Sequence, residues 1–220
     1  SEDKLMDIKS KTKIKICGIT TPDDIAAVKL YRPEYCGFVF WKPSLKRFIS
    51  PDRAKSLISL LPGDIRSVGV FLDEPLDSLV QTAAASGVDI IQLHGSENDD
   101  FIKTVRDVTG KPVIKAFRIG DAADLRRAEA SAADMIMLDS GAGTGRVFDW
   151  EVLKYSERDY FLAGGLTPIN CADAVRTLHP YALDVSSGVE RDRAPADSSE
   201  GMSGKDLDKI RTFIRNTREA

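Results

Sequence analysis

Eight short apolar, β-branched runs recur along this 220-residue chain at intervals of about 24 residues, and that spacing limits what it can fold into. The runs are IKIC, CGFVF, SVGVF, IIQLH, VIKAF, MIMLD, FLAGG and ALDVS. Helix-start signals fall between them. Thr21-Pro22, Ser50-Pro51 and Thr167-Pro168 each set a capping hydroxyl before a proline, and Glu74-Pro75 and Gly120-Asp121 open two further segments. Runs apolar enough for burial on both faces, alternating with helices, predict a parallel sheet with helices packed against it. Eight βα units fit a single (β/α)8 TIM barrel of the α/β class. A doubly wound open sheet would carry a Gly-rich phosphate turn after its first strand, where this chain reads CGIT. No linker-like composition shift interrupts the pattern. One catalytic domain over 13–220 is therefore expected, preceded by a polar extension at 1–12, with a low-complexity loop at 190–204.

Charge and cysteine content narrow the function classes. With 31 basic and 34 acidic residues the net charge is −3, which draws the chain to neither nucleic acid nor an anionic membrane. No apolar run approaches the roughly 18 residues of a membrane span, and SEDKLMDIKSKT lacks the apolar stretch of a secretory signal. Cys17, Cys36 and Cys171 are odd in number and lack C-x-x-C spacing, so neither a disulfide framework nor a metal site is indicated. A cytoplasmic location is expected.

The runs end on chemistry. Cys17, His94 and Asp139 close three of them, and glycine or serine turns follow two others. Strand alternation groups Lys15 with Cys17, Gln92 with His94, Met137 with Asp139, and Asp184 with Ser186. If the aliphatics pack outward, these polar groups and Lys115 line the barrel, with Lys15 and Lys115 balancing Asp139 and Asp184; Lys115 and Asp184 form a candidate ion pair. Cys17 reads either as a small buried hydrophobe or as a thiol whose ionised form Lys15 stabilises. His94 reads as a turn-binding or an active-site histidine. Trp41, in a polar loop, is a candidate cover for a ligand, and Trp150 a packing anchor. The turns at Gly164-Gly165 and at Ser187-Gly188 follow strands seven and eight, where barrels bind phosphate through backbone N–H groups. GAGTG at 141–145 is a candidate closing loop.

Together KICGIT, GFVF, KRFISP, VGVF, IQLHG, LDS, LAGGLTP, DVSSGVE and GKDLDKI resemble the phosphoribosylanthranilate isomerase family of tryptophan biosynthesis, in order from about residue 13 to residue 217. The resemblance implies a cofactor-free Amadori rearrangement of N-(5-phosphoribosyl)anthranilate to 1-(2-carboxyphenylamino)-1-deoxyribulose 5-phosphate. It assigns the general base to Cys17, the general acid to Asp139 and the anthranilate carboxylate to Arg47. His94 and Asp184 match further active-site positions, and Gly164, Gly165, Ser187 and Gly188 match phosphate-binding turns. Asp139 would need a raised pKa to act as an acid at neutral pH, and burial is the expected source. The expected partner is a small phosphosugar-anthranilate substrate, bound by a monomer or homodimer. The alternatives are another phosphosugar barrel enzyme and a non-catalytic phosphate-binding barrel. This chain departs from the family pattern in its short loop at 140–145, its long segment at 190–204 and its N-terminal dozen.

Overall fold

The barrel closes because each strand is short, apolar and paired in parallel with the strand that follows it in the chain. A computed structural model describes residues 12–141, 150–192 and 204–220. The strands are β1 Lys13–Cys17, β2 Tyr35–Val39, β3 Arg66–Phe71, β4 Ile90–Leu93, β5 Val113–Arg118, β6 Met135–Asp139, β7 Tyr160–Ala163 and β8 Ala182–Val185. They form one closed barrel in sequence order, with β8 returning to β1. The helices between them are α1 Pro22–Tyr31, α2 Pro51–Ile58, α3 Leu76–Ser86, α4 Asp99–Thr109, α5 Ala122–Glu129, α6 Cys171–Leu178 and α7 Leu207–Arg218. No helix among the described residues is long and apolar enough to cross a membrane. The polar extension, apart from Thr12, and most of the two predicted loops lie outside the described residues.

Local chemistry accounts for most helix starts. Thr21 accepts from the Asp24 N–H while the Asp24 carboxylate takes the Thr21 N–H, a reciprocal box that satisfies two donors at the start of α1. Ser50 caps α2 by accepting from the Arg53 N–H, and Asp121 caps α5 by accepting from the Ala123 and Asp124 N–H groups. The Thr167-Pro168 signal is displaced, because Asn170 Oδ1 accepts from the Thr167 N–H and forms a separate turn there. The helix proper therefore begins at Cys171. After β6 the chain forms a 3₁₀ segment, Trp150–Tyr155, in which Trp150 packs against the core as an anchor.

The parallel register sorts the two faces of the barrel wall, since residues paired across a ladder point the same way. Isoleucines 14, 16, 91 and 136 pack outward against the helices. Tyr35, Val68, Ile90, Met137, Phe161 and Ala182 fill the interior. At its N-terminal end Phe161 lies edge-on to Tyr35 and Tyr181, with ring centroids 5.3 and 5.4 Å apart, and the tyrosine hydroxyls meet at 2.8 Å.

Lys115 corrects the sequence reading. It is in register with Leu93 and Ile136 on the outer face, whereas Ile114 and Ala116 face inward beside Gln92 and Met137. Its ammonium reaches the Gly95 carbonyl at 2.6 Å and Glu97 at 3.2 Å, so Glu97 and not Asp184 neutralises it. Asp184 pairs with Lys15 at 2.7 Å, directly across the β8–β1 closure.

Lys15 is fully buried and Asp184 nearly so. Removing one partner strands the other charge in a medium that cannot solvate it. We expect Lys15→Met to cost about 3–5 kcal/mol in urea unfolding, and Lys15→Met/Asp184→Leu to recover much of that loss. A single variant as stable as the wild type would show that water reaches the pair.

Candidate active site

A cavity of about 770 Å³ opens at the C-terminal ends of the strands. Cys17, Arg47, His94, Asp139, Gly164, Gly165, Asp184 and Ser187 all line it, as does Trp41. Gly188 lies directly behind, where a Cβ would stand 1.9 Å from the Leu166 carbonyl oxygen, so only glycine lets the turns after β7 and β8 approach this closely. Asn170 fixes the first turn by donating to the Gly165 carbonyl at 2.9 Å. The site residues expected from the sequence therefore converge on one mouth, although they come from separate strand ends.

The position of Cys17 depends on its neighbour strand. Gly37 is in register with it, and a Cβ there would lie 2.6 Å from the thiol sulfur. The Gly18 and Ile19 N–H groups both donate to the Gly37 carbonyl at 2.9 Å, and Ser186 donates to the Cys17 carbonyl at 3.1 Å. Lys15, held by Asp184, and Lys205 are both close enough to interact with charge on the thiol.

Asp139 sits at the end of β6. Its Oδ1 accepts the Gly141 N–H at 2.7 Å, and its Oδ2 lies 3.5 Å from His94 Nε2. The other ring nitrogen of His94 meets the Gln92 amide nitrogen at 2.9 Å. With that amide as donor, the imidazole proton sits on Nε2 and faces Asp139. Burial pushes the Asp139 carboxyl up. His94, the Gly141 N–H and the charge of Arg118 outweigh burial, and the net shift is downward. This overturns the expectation that burial would hold the carboxyl protonated: the apolar lining is real, but hydrogen-bond donors face the oxygens.

The sequence reading passed over several residues. Arg118 lines the cavity from the end of β5, where it is in register with Asp139. Its signal was available: if Ile114 and Ala116 face inward, Arg118 does too. Glu190 receives the Arg47 Nε–H at 2.6 Å and lies 3.4 Å from Lys205 Nζ. Both belong to the DVSSGVE and GKDLDKI segments, but no local pattern indicates that they meet.

The N-(5'phosphoribosyl)anthranilate (PRA) isomerase family model matches residues 14–216. The chain belongs to that family. It is similar to an N-(5'-phosphoribosyl)anthranilate isomerase from Endomicrobium trichonymphae, 39% identical over 203 residues, covering 90% of this chain and 94% of the relative. Among solved structures it is similar to a phosphoribosyl anthranilate isomerase in complex with reduced 1-(o-carboxyphenylamino)-1-deoxyribulose 5-phosphate. That match is 32% identical with a TM-score of 0.80, over 95% of this chain and 100% of the other. Monomers of the dimeric enzyme from Thermotoga maritima match at 33% identity and a TM-score of 0.79, with the same coverage. Membership makes this protein an isomerase on a (β/α)8 barrel.

The geometry generates two expectations. Gly37→Ala must displace the Cys17 sulfur, and should lower kcat by about 10²-fold with product affinity retained, since an ångström of misplacement costs that much. An unchanged kcat would show that the thiol's position is unimportant. The second concerns acid. The Asp139 carboxyl titrates below its ordinary value of 3.8. Its stabilising contribution is therefore complete above that value and is lost as pH falls through the depressed folded value. Asp139→Asn should flatten the wild type's loss of stability below about pH 4, read as urea midpoints at about pH 7 and pH 3. Equal acid slopes would show that His94 and Gly141 do not hold the carboxylate.

Proposed function

We propose that the protein catalyses the Amadori rearrangement of N-(5-phosphoribosyl)anthranilate in tryptophan biosynthesis, with Asp139 as general acid and Cys17 as general base. The convergence of Cys17, Asp139 and Arg47 on one cavity, with two glycine turns at its edge, is the observation that carries this reading. Asp139 protonates the furanose ring oxygen as the C1′–O bond breaks and the nitrogen lone pair forms the C1′=N bond, leaving an open-chain Schiff base protonated on nitrogen. Cys17, as thiolate, then removes the C2′ proton to give the enolamine, which tautomerises to the ketone. Proton count and charge balance over the two steps.

Asp139 starts from a depressed pKa, so it must gain a proton when substrate binds. Substrate favours that change in two ways. It expels water from around the carboxyl, and it brings a carboxylate and a phosphate dianion into the cavity. The Lys15 and Lys205 ammonium groups both lie beside Cys17. Arg47 binds the anthranilate carboxylate as a fork. The backbone around Gly164, Gly165, Ser187 and Gly188 binds the phosphate. His94 orients Asp139, and Asp184 acts at one remove by holding Lys15. The reading further comprises one catalytic domain over 13–220, a cytoplasmic location, no nucleic-acid or membrane partner, and a monomer or homodimer, forms that both occur among the similar structures.

Turnover of the adduct generated in situ tests the whole. Cys17→Ser and Asp139→Asn should each lower kcat by roughly 10²- to 10⁴-fold with product affinity within several-fold. A wild type with no turnover sinks the activity, and near-normal turnover by Cys17→Ser moves the base to His94. Arg47→Lys should raise KM, because a point charge cannot reproduce the fork.

A further inference from the structure

Arg47 and Lys205 converge on one carboxylate at the cavity rim. Arg47 crosses the chain at Gly18, where an added Cβ would stand 3.0 Å from the Arg47 Cδ and 3.3 Å from Lys205 Nζ. Its Nε–H is donated to Glu190 Oε1 at 2.6 Å. The same Oε1 lies 3.4 Å from the Lys205 ammonium, whose side chain is fully buried. Lys205 also donates to the Ser186 carbonyl at 3.1 Å and lies 3.5 Å from the Ser186 hydroxyl. Its backbone is fixed as well, since its N–H reaches Asp24 Oδ1 at 2.7 Å and its carbonyl accepts from Arg191 Nε at 3.2 Å. Asp24 is the partner of Thr21 in the reciprocal box that caps α1. A chain of contacts therefore runs from that helix cap through Lys205 and Glu190 to Arg47.

Such an arrangement is costly unless it is used. Burial lowers the proton affinity of Lys205 and the net shift stays downward, whereas Arg47 and Lys205 hold the Glu190 carboxyl below its ordinary value against burial. Arg47 and Lys205 share one carboxylate, that of Glu190. Glu190 takes Nε, and among the described residues none takes the two Nη groups of Arg47, an edge that a carboxylate matches in plane. Among the described residues the Cys17 thiol, the Ser186 hydroxyl and the Asp24 carboxylate also face this cluster.

We propose that Glu190 and Lys205 are positioning residues that hold the Arg47 guanidinium edge toward the substrate's aromatic carboxylate, and so set the preference for a carboxylated ring. This rests on the isomerase reading above and deepens it. Glu190 fixes the rotation of the guanidinium through Nε. Lys205 offsets the charge of Glu190, so that Arg47 still presents a positive charge to its ligand.

Two adducts of phosphoribose, one with anthranilate and one with aniline, separate this role from a structural one. Glu190→Gln and Lys205→Met change the local charge in opposite directions. Simple charge counting therefore predicts that the first tightens, and the second weakens, binding of a carboxylated substrate. Positioning predicts that both raise KM for the anthranilate adduct by about tenfold relative to the aniline adduct, the value of one oriented hydrogen bond, and that Glu190→Gln leaves kcat within about twofold, whereas Lys205→Met also removes a charge beside Cys17 and lowers kcat alike for both adducts. Glu190→Asp, which keeps the charge and shortens the reach, should fall between wild type and Glu190→Gln. In an Arg47→Gln background, Glu190→Gln should have no further effect, because it acts only through Arg47.

Equal KM changes for the two adducts, or a fall in KM for Glu190→Gln, would overturn the proposal. If Glu190→Gln does not fold, the same comparison of adducts with Glu190→Asp decides it. A wild type that turns over neither adduct defeats the isomerase chemistry instead. A wild type that prefers the anthranilate adduct, beside folded variants with the same preference, defeats only this inference.

Discussion

The β8–β1 closure fixes the chemistry as well as the fold. Ending the barrel there sets Lys15 in register with Asp184, and their 2.7 Å pair is buried in the wall. The same register brings the Ser186 hydroxyl to the Cys17 carbonyl and places the Cys17 thiol within reach of the Lys15 ammonium. A slip by one residue would turn Lys15 toward the helices and Cys17 away from the cavity, because strand side chains alternate. The closing ladder therefore determines which polar groups share the mouth.

Charges at that mouth are distributed by local pairing and not by one collective balance. Lys15 belongs to Asp184, Lys115 to Glu97 outside the barrel, and Arg47 and Lys205 to Glu190. Asp139 is bound instead by a histidine and a backbone N–H. Each pairing limits the desolvation penalty of its own members, which is why so many ionised groups are tolerated around one cavity. The consequence for Asp139 is a carboxyl that favours its ionised form.

Glycine plays a spatial part in this design. Gly37 yields the volume that the Cys17 sulfur fills, and Gly188 lets one turn rest on the backbone of the other. Neither is explained by its own segment. Each is required by an atom from a strand or loop that is distant in sequence.

The fold was legible because it follows from short-range chemistry repeated at a regular interval. Apolar strands, hydroxyl-proline caps and glycine turns carry their signal within a few residues, and together they specify eight βα units. The strand-end residues Cys17, His94 and Asp139 were legible for the same reason, since a strand's end in a barrel points at the mouth. Lys115 was misjudged because a face cannot be assigned from one strand alone. Its register with Leu93 and Ile136 decides the side. The depressed Asp139 carboxyl and the Arg47–Glu190–Lys205 chain were beyond the sequence altogether. Proton affinity depends on which donors face an oxygen, and Glu190 meets Arg47 across 143 positions of chain. The sequence by itself determined the strands, the barrel and the strand-end residues, because these depend on periodicity. Only the tertiary structure decided which charges pair and what each does to its neighbour, because electrostatic energy depends on distance and burial and not on order along the chain.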